Sequence, residues 1–212
     1  MRFLTTHPFT RVAAATFMAA GATLLAAGTA AAAPVDINYA CTAATFFGES
    51  ATTFASSVEG TAPETVTAGE TFTAVVTPQP NTVPTTANGL PLTKIENIAL
   101  TIPIPANSTA TSGTLSGGSG LSVDAVLTQT ETAFVITYPS SLAGGAAYQL
   151  PALTMELVAG TSGSIDLKVG GTSATDPGLT LTAWPSLFGS PLEATTKCYP
   201  NPSPVLASTT IS

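Results

Sequence analysis

Beyond residue 34 the chain alternates apolar and polar residues with a period of two, and no stretch carries the 3.6-residue apolar stripe of an amphipathic helix. The longest alternation is Lys94–Pro105, where Ile98, Leu100, Ile102 and Ile104 share one face and Asn97, Ala99 and Thr101 take the other. That spacing predicts a strand with one buried face. The pattern recurs around Ile37, Tyr39 and Cys41, then Phe54 and Val58, then Phe72, Ala74 and Val76. It continues with Leu121 to Leu127, Phe134 to Tyr138, Leu153 to Leu157, Ile165 to Val169, Leu179 to Ala183, and Glu193 to Cys198. Turn and breaker residues separate these runs: Pro78–Pro91 with its Asn88-Gly89 pair, the Gly/Ser-rich Thr111–Gly120, Pro139–Gly145, Gly160–Gly163 and Gly170–Gly178. Roughly nine to ten short strands at regular spacing predict an all-β domain, and short strands with uneven loops favour an antiparallel sandwich over a barrel.

The first residues break the pattern. Arg2 and Arg11 precede an Ala-rich apolar run from Val12 to Ala27, followed by small residues up to Pro34. This predicts a signal peptide over 1–32, cleaved near Ala32, with no transmembrane anchor left after cleavage. A β-sandwich over 33–199 and a flexible Pro/Ser/Thr-rich tail over 200–212 complete the expected organisation. The tail lacks a sorting signal and the leader lacks a lipobox cysteine.

Two cysteines in an exported chain, with none left over, argue for a structural bridge between Cys41 and Cys198. It would join the first strand to the last and close nearly the whole mature chain. By loop entropy such a closure contributes at most about 5 kcal/mol.

Loss of the leader removes Arg2, Arg11 and His7, so the net charge falls from −7 to −9 and the mature chain has neither arginine nor histidine. Its cations are Lys94, Lys168 and Lys197, against twelve scattered carboxylates. Such a surface repels polyphosphates, so no nucleic acid partner is expected. Histidine-based nucleophilic catalysis lacks its base, and the usual zinc and copper ligands are missing, so no metal and no cofactor are expected. Asp176-Pro177-Gly178 reads as a turn rather than a calcium loop, and Asn107-Ser108-Thr109 as an ordinary loop. A glycoside hydrolase needs only paired carboxylates, for which Glu64 with Glu70, or Glu156 with Asp166 on neighbouring strands, are the candidates. No catalytic residue is assigned.

Trp184, in Ala183-Trp-Pro-Ser-Leu-Phe-Gly189, either caps the core or stands at a loop tip beside Phe188. If exposed, Trp184, Leu187 and Phe188 form the natural apolar contact patch, with the 78–91 loop as a second recognition candidate.

The Ala-Ala-Ala-Pro leader end, Tyr39-x-Cys41, the phrase Ala62-Pro-Glu-Thr-Val-Thr-Ala-Gly-Glu-Thr-Phe72 and the closing Lys197-Cys198-Tyr199 together resemble the small secreted actinobacterial proteins of unknown function that carry one immunoglobulin-like β-sandwich. The resemblance implies fold and export, and no reaction. The functional expectation is a non-catalytic binding or structural module of the cell envelope or extracellular space, with an envelope or extracellular component as partner. The alternative is a carrier that opens around an apolar, lipid-like ligand, and a carboxylate-based hydrolase is a distant third. A filled core would favour the module, an apolar cavity the carrier.

Overall fold

The computed structural model describes residues 29–31 and 33–212. The predicted leader and its cleavage point at Ala32 otherwise lie outside them. Among the described residues there is no helix.

Twelve strands carry the architecture: β1 (Val35–Thr45), β2 (Gly48–Pro63), β3 (Thr71–Pro78), β4 (Leu90–Pro103), β5 (Ser108–Ser116), β6 (Val126–Gln129), β7 (Ala133–Ala143), β8 (Ala152–Ala159), β9 (Gly163–Leu167), β10 (Leu179–Leu187), β11 (Ala194–Pro200) and β12 (Ala207–Ile211). Ten of them form one continuous path, β6-β7-β4-β10-β11-β1-β2-β3-β8-β5, in which every pairing is antiparallel. Two sheets of an immunoglobulin-like sandwich were the expectation. The main sheet is one continuous, nearly closed, barrel-like path whose two edge regions approach each other, and it does not by itself confirm that arrangement. A Cβ built on Gly113 of β5 would stand 2.5 Å from Phe134 of β7, so the edge can come this close only because residue 113 has no side chain. This is also why Thr111–Ser116, which reads as a flexible Gly/Ser connection, is edge strand.

The inward faces follow the alternation. Ile98, Leu100 and Ile102 are buried while Thr101 is half-buried on the outer face. Ile95 is buried too, against strict alternation, and Leu92 is buried back in phase with it. The register slips at Asn97, which has φ 54°, and again near Trp184, and each bulge returns an apolar residue of β4 to the inside. Leu121–Ala125, by contrast, is irregular, and only Val126–Gln129 of that run pairs.

The Cys41–Cys198 bridge is present, its cysteines directly opposite one another on β1 and β11 with Cα atoms 4.0 Å apart. The chain does not end there. Residues 207–211, expected within a flexible tail, form β12, which pairs antiparallel with β9 and in parallel with Thr65–Val66. Leu206, Thr209 and Ile211 are buried by it, and this inward alternation is what holds the segment in place. The small three-stranded sheet closes one end of the barrel, where Thr209 donates to the Pro63 carbonyl at 2.7 Å. A Cβ at Gly60 would meet that of Leu206 at 2.5 Å.

Candidate functional site: an apolar cavity beneath three hairpin tips

Three two-residue hairpin turns gather at the opposite end: Phe46-Phe47 between β1 and β2, Asn88-Gly89 before β4, and Phe188-Gly189 after β10. Asn88 and Gly89 take φ 49° and 78°, and Phe188 and Gly189 take 49° and 83°. Both are the left-handed pairs that match the twist of a hairpin, for which Asn-Gly is the favoured sequence. Phenylalanine at the first position costs about 1 to 2 kcal/mol and recovers nothing by burial, since Phe188 is 99% exposed. Phe46 and Phe47 are 80% and 69% exposed, their rings 3.9 Å apart.

Beneath these tips lies a cavity of about 280 Å³. Its floor is the Cys41–Cys198 bridge, and its walls are the inner faces of β1, β2, β4, β10 and β11. The space exists because Ala43, Ala183 and Ala194 stand at inward positions of those strands. The hairpin from Pro84 to Leu92 leans across the opening, and its Asn88 Nδ2 donates to Ser50 Oγ of β2 at 3.2 Å. Asn81 Nδ2 further ties this connection to the Ala55 carbonyl at 3.0 Å. A smaller gap of about 40 Å³ lies among Tyr39, Phe54, Tyr148 and Leu179. Burial pushes the Tyr39 hydroxyl up to about 12, against a lowering hydrogen bond from Ser56, and burial does the same for Tyr148, also to about 12.

No protein-family model matches the chain, and no curated protein does. Among solved structures, the fold is similar to that of a protein from Corynebacterium diphtheriae described as a "putative membrane anchored protein". The match has a TM-score of 0.51 and 23% identity over 85% of this chain and 38% of that one. At that identity the likeness is one of fold, and this chain spans well under half the length of the other.

The residues singled out in the sequence do not form one patch. Trp184 neither caps the core nor stands at a tip, because the alternation of β10 turns it to the outer wall. There its indole N–H donates to Glu96 at 2.8 Å and the Lys94 ammonium lies 4.8 Å from its ring centre. The hydrogen bond from Lys94 is the chief reason the Glu96 carboxyl is held below the usual carboxylate range; burial opposes it, and the Trp184 bond adds to it. Leu187 is half-buried, and Phe188 alone of the three stands clear at the rim. Phe46 and Phe47 fall outside the period-two pattern, and the signal that marks them is an apolar pair between two alternating runs.

The carboxylate candidates make no hydrogen bond with one another, and several have local partners of their own. Glu156 is on β8 in the main sheet, accepting from Thr73 at 2.9 Å, whereas Asp166 is on β9 in the small sheet, accepting from Ser208 at 2.8 Å. Neighbouring strands were expected, and they belong to different sheets. Glu70 accepts from the Thr67 amide at 3.0 Å, closing its own turn, while Glu64 contributes its carbonyl to the Thr210 amide at 2.9 Å. Asp176 accepts within its turn from Thr172 at 2.8 Å. Among the described residues no group of three His, Cys, Asp or Glu side chains converges, and no helix is long and apolar enough to cross a membrane.

Proposed function

We propose that this is an exported, non-catalytic binding protein of the cell envelope or extracellular space, and that it binds through the end of the barrel carrying the phenylalanine tips. The observation that carries this reading is Phe188, held at φ 49° and 99% exposed. The chain has Asn-Gly for the same kind of turn at 88–89, so the aromatic at 188 answers to something other than folding. Exposed aromatic side chains on rigid scaffolds are the usual anchors of recognition. The reading includes the signal peptide over 1–32 and a place among the secreted actinobacterial proteins that the sequence resembles. Support comes from the disulfide, which suits an oxidising compartment, and from the fold it shares with a corynebacterial protein described as membrane anchored.

The test is sedimentation of the purified mature protein with envelope fragments of the producing cell, comparing wild type with a Phe46→Ser, Phe47→Ser, Phe188→Ser variant. Association should fall at least about tenfold in the variant while its melting temperature stays unchanged, surface substitutions of this kind being nearly neutral for stability. Undiminished association by the variant, or hydrolase activity abolished by Glu156→Gln, would overturn the proposal.

A further inference from the structure

The cavity beneath the tips has a chemical character that its volume alone does not explain. Its size is near the lower limit of roughly 300 Å³ for small-molecule sites. Apart from the bridged cysteines, none of its lining residues is ionisable, and its walls are chiefly aliphatic, with Leu90, Leu92, Ile95, Leu181 and Leu192 among them. The deepest hydroxyl, that of Thr196, is spent on the Ala194 carbonyl at 3.2 Å. No buried side-chain polar atom among the described residues lacks a partner, so the polar groups left to a guest are the more accessible hydroxyls of the lining, such as those of Thr52, Thr53 and Thr86, and none of them is charged. Elsewhere the barrel is filled by Ile102, Ile136, Leu153 and Leu157, all fully buried. Alanines in the equivalent inward positions at this end leave a cavity that a fold selected for stability alone would fill, since empty apolar space is destabilising.

The rim decides what the exposed end of a guest can be. Ser50 and Leu192 line the cavity, and the residues next to them in the chain are Glu49 and Glu193, both exposed. None of the lysines lines it, and Lys94 is paired with Glu96 on the outer wall. Lys197 also adjoins lining residues, but these are Thr196 and Cys198 beside the bridge at the floor, so an anionic head group at the mouth would find carboxylates in the flanking positions and no cation among the residues lining it.

We infer that the cavity takes the hydrocarbon part of an uncharged lipid, such as a long-chain alcohol or ester, and discriminates against the corresponding carboxylate. The inference rests on the binding role proposed above and names the ligand class for the same end of the molecule.

Isothermal titration of the mature, oxidised protein with 1-decanol and with decanoate near neutral pH tests it. Decanol should bind at least about tenfold more tightly than decanoate. Ala183→Leu, which places a larger side chain in the cavity, should weaken decanol at least about tenfold without lowering the melting temperature. Ala43→Leu serves the same purpose on β1, across β11 from Ala183, should the first variant fail to fold. Equal or tighter binding of decanoate would overturn the assigned class. Decanol binding that neither substitution weakens would overturn the assigned place. Absence of binding by either probe, in a protein that still sediments with envelope fragments through its phenylalanines, would overturn this inference and leave the binding role standing.

Discussion

The two ends of this barrel solve opposite problems. At one end β9, β12 and Thr65–Val66 lie across the opening, and contact is so close that Gly60 has no room for a methyl group beside Leu206. At the other, three alanines leave space above the disulfide, and three phenylalanines stand in solvent around it. The first arrangement is what burial of apolar surface produces unaided. The second opposes it. Where a chain so consistently patterned departs from burial, a role other than folding is the expected reason, and it is on this end that the proposed binding function rests.

The largest test of the contrast is to remove the cap. Truncation after Val205 deletes β12 with buried Leu206 and Ile211 and the strand hydrogen bonds of β12. It should cost roughly 5 kcal/mol or more, read from urea unfolding. A loss below about 1 kcal/mol would mean that the segment behaves as the tail its composition suggests, and the two ends would no longer differ in kind.

The next effect lies in the wall common to both ends. Leu100→Ala should cost about 2 to 5 kcal/mol because the residue is 4% exposed between Ile136 and Leu179, while Thr101→Ala, on the outer face, should cost far less. Equal losses would show that the inner face is not the one carrying the core.

The smallest, taken per residue, is a pH effect at the smaller gap. With Tyr39 and Tyr148 pushed to about 12, the folded state holds both protons more tightly than the unfolded chain, whose tyrosines titrate near 10. The contribution is therefore fully present below pH 10 and is lost as pH rises towards 12, at most about 3 kcal/mol per tyrosine. Equilibrium unfolding followed at increasing pH, with phenolate absorbance recorded alongside, checks it. Ionisation of these tyrosines near pH 10 in the folded protein would show that water reaches them, and would make the gap between them wider than described.

Much of this was legible in the sequence, for a physical reason. Period-two patterning carries strand identity and the inward face, so Ile98, Leu100 and Ile102 could be read directly, and two cysteines admit one pairing. What the pattern does not carry is how strands join. Sandwich or barrel depends on whether β5 and β7 can meet, and that turns on Gly113, which reads as a loop glycine until Phe134 is seen against it. The bulge at Asn97 shifts the phase of β4, so Ile95 was hidden on the wrong face. The tail was hard to read because prolines at 200, 202 and 204 precede only a short alternation, Thr209 and Ile211, set off from Leu206 by a step of three. The site was half legible: Phe188 could be named, but a cavity made by alanines leaves no mark in a chain rich in alanine.

The disulfide also sets how the molecule would respond to mechanical load. Tension applied between residue 33 and residue 212 follows the covalent path through Cys41 and Cys198, crossing from β1 to β11 directly. The loop it bypasses has a sequence separation of 157, which at roughly 3.5 Å per residue is a reserve of about 550 Å that pulling cannot pay out while the bridge is intact. Only the segments outside it bear force, among them β12 and the first residues of β1 before Cys41, so these would peel away while the strands enclosed by the bridge, which surround the cavity, would keep their arrangement under load.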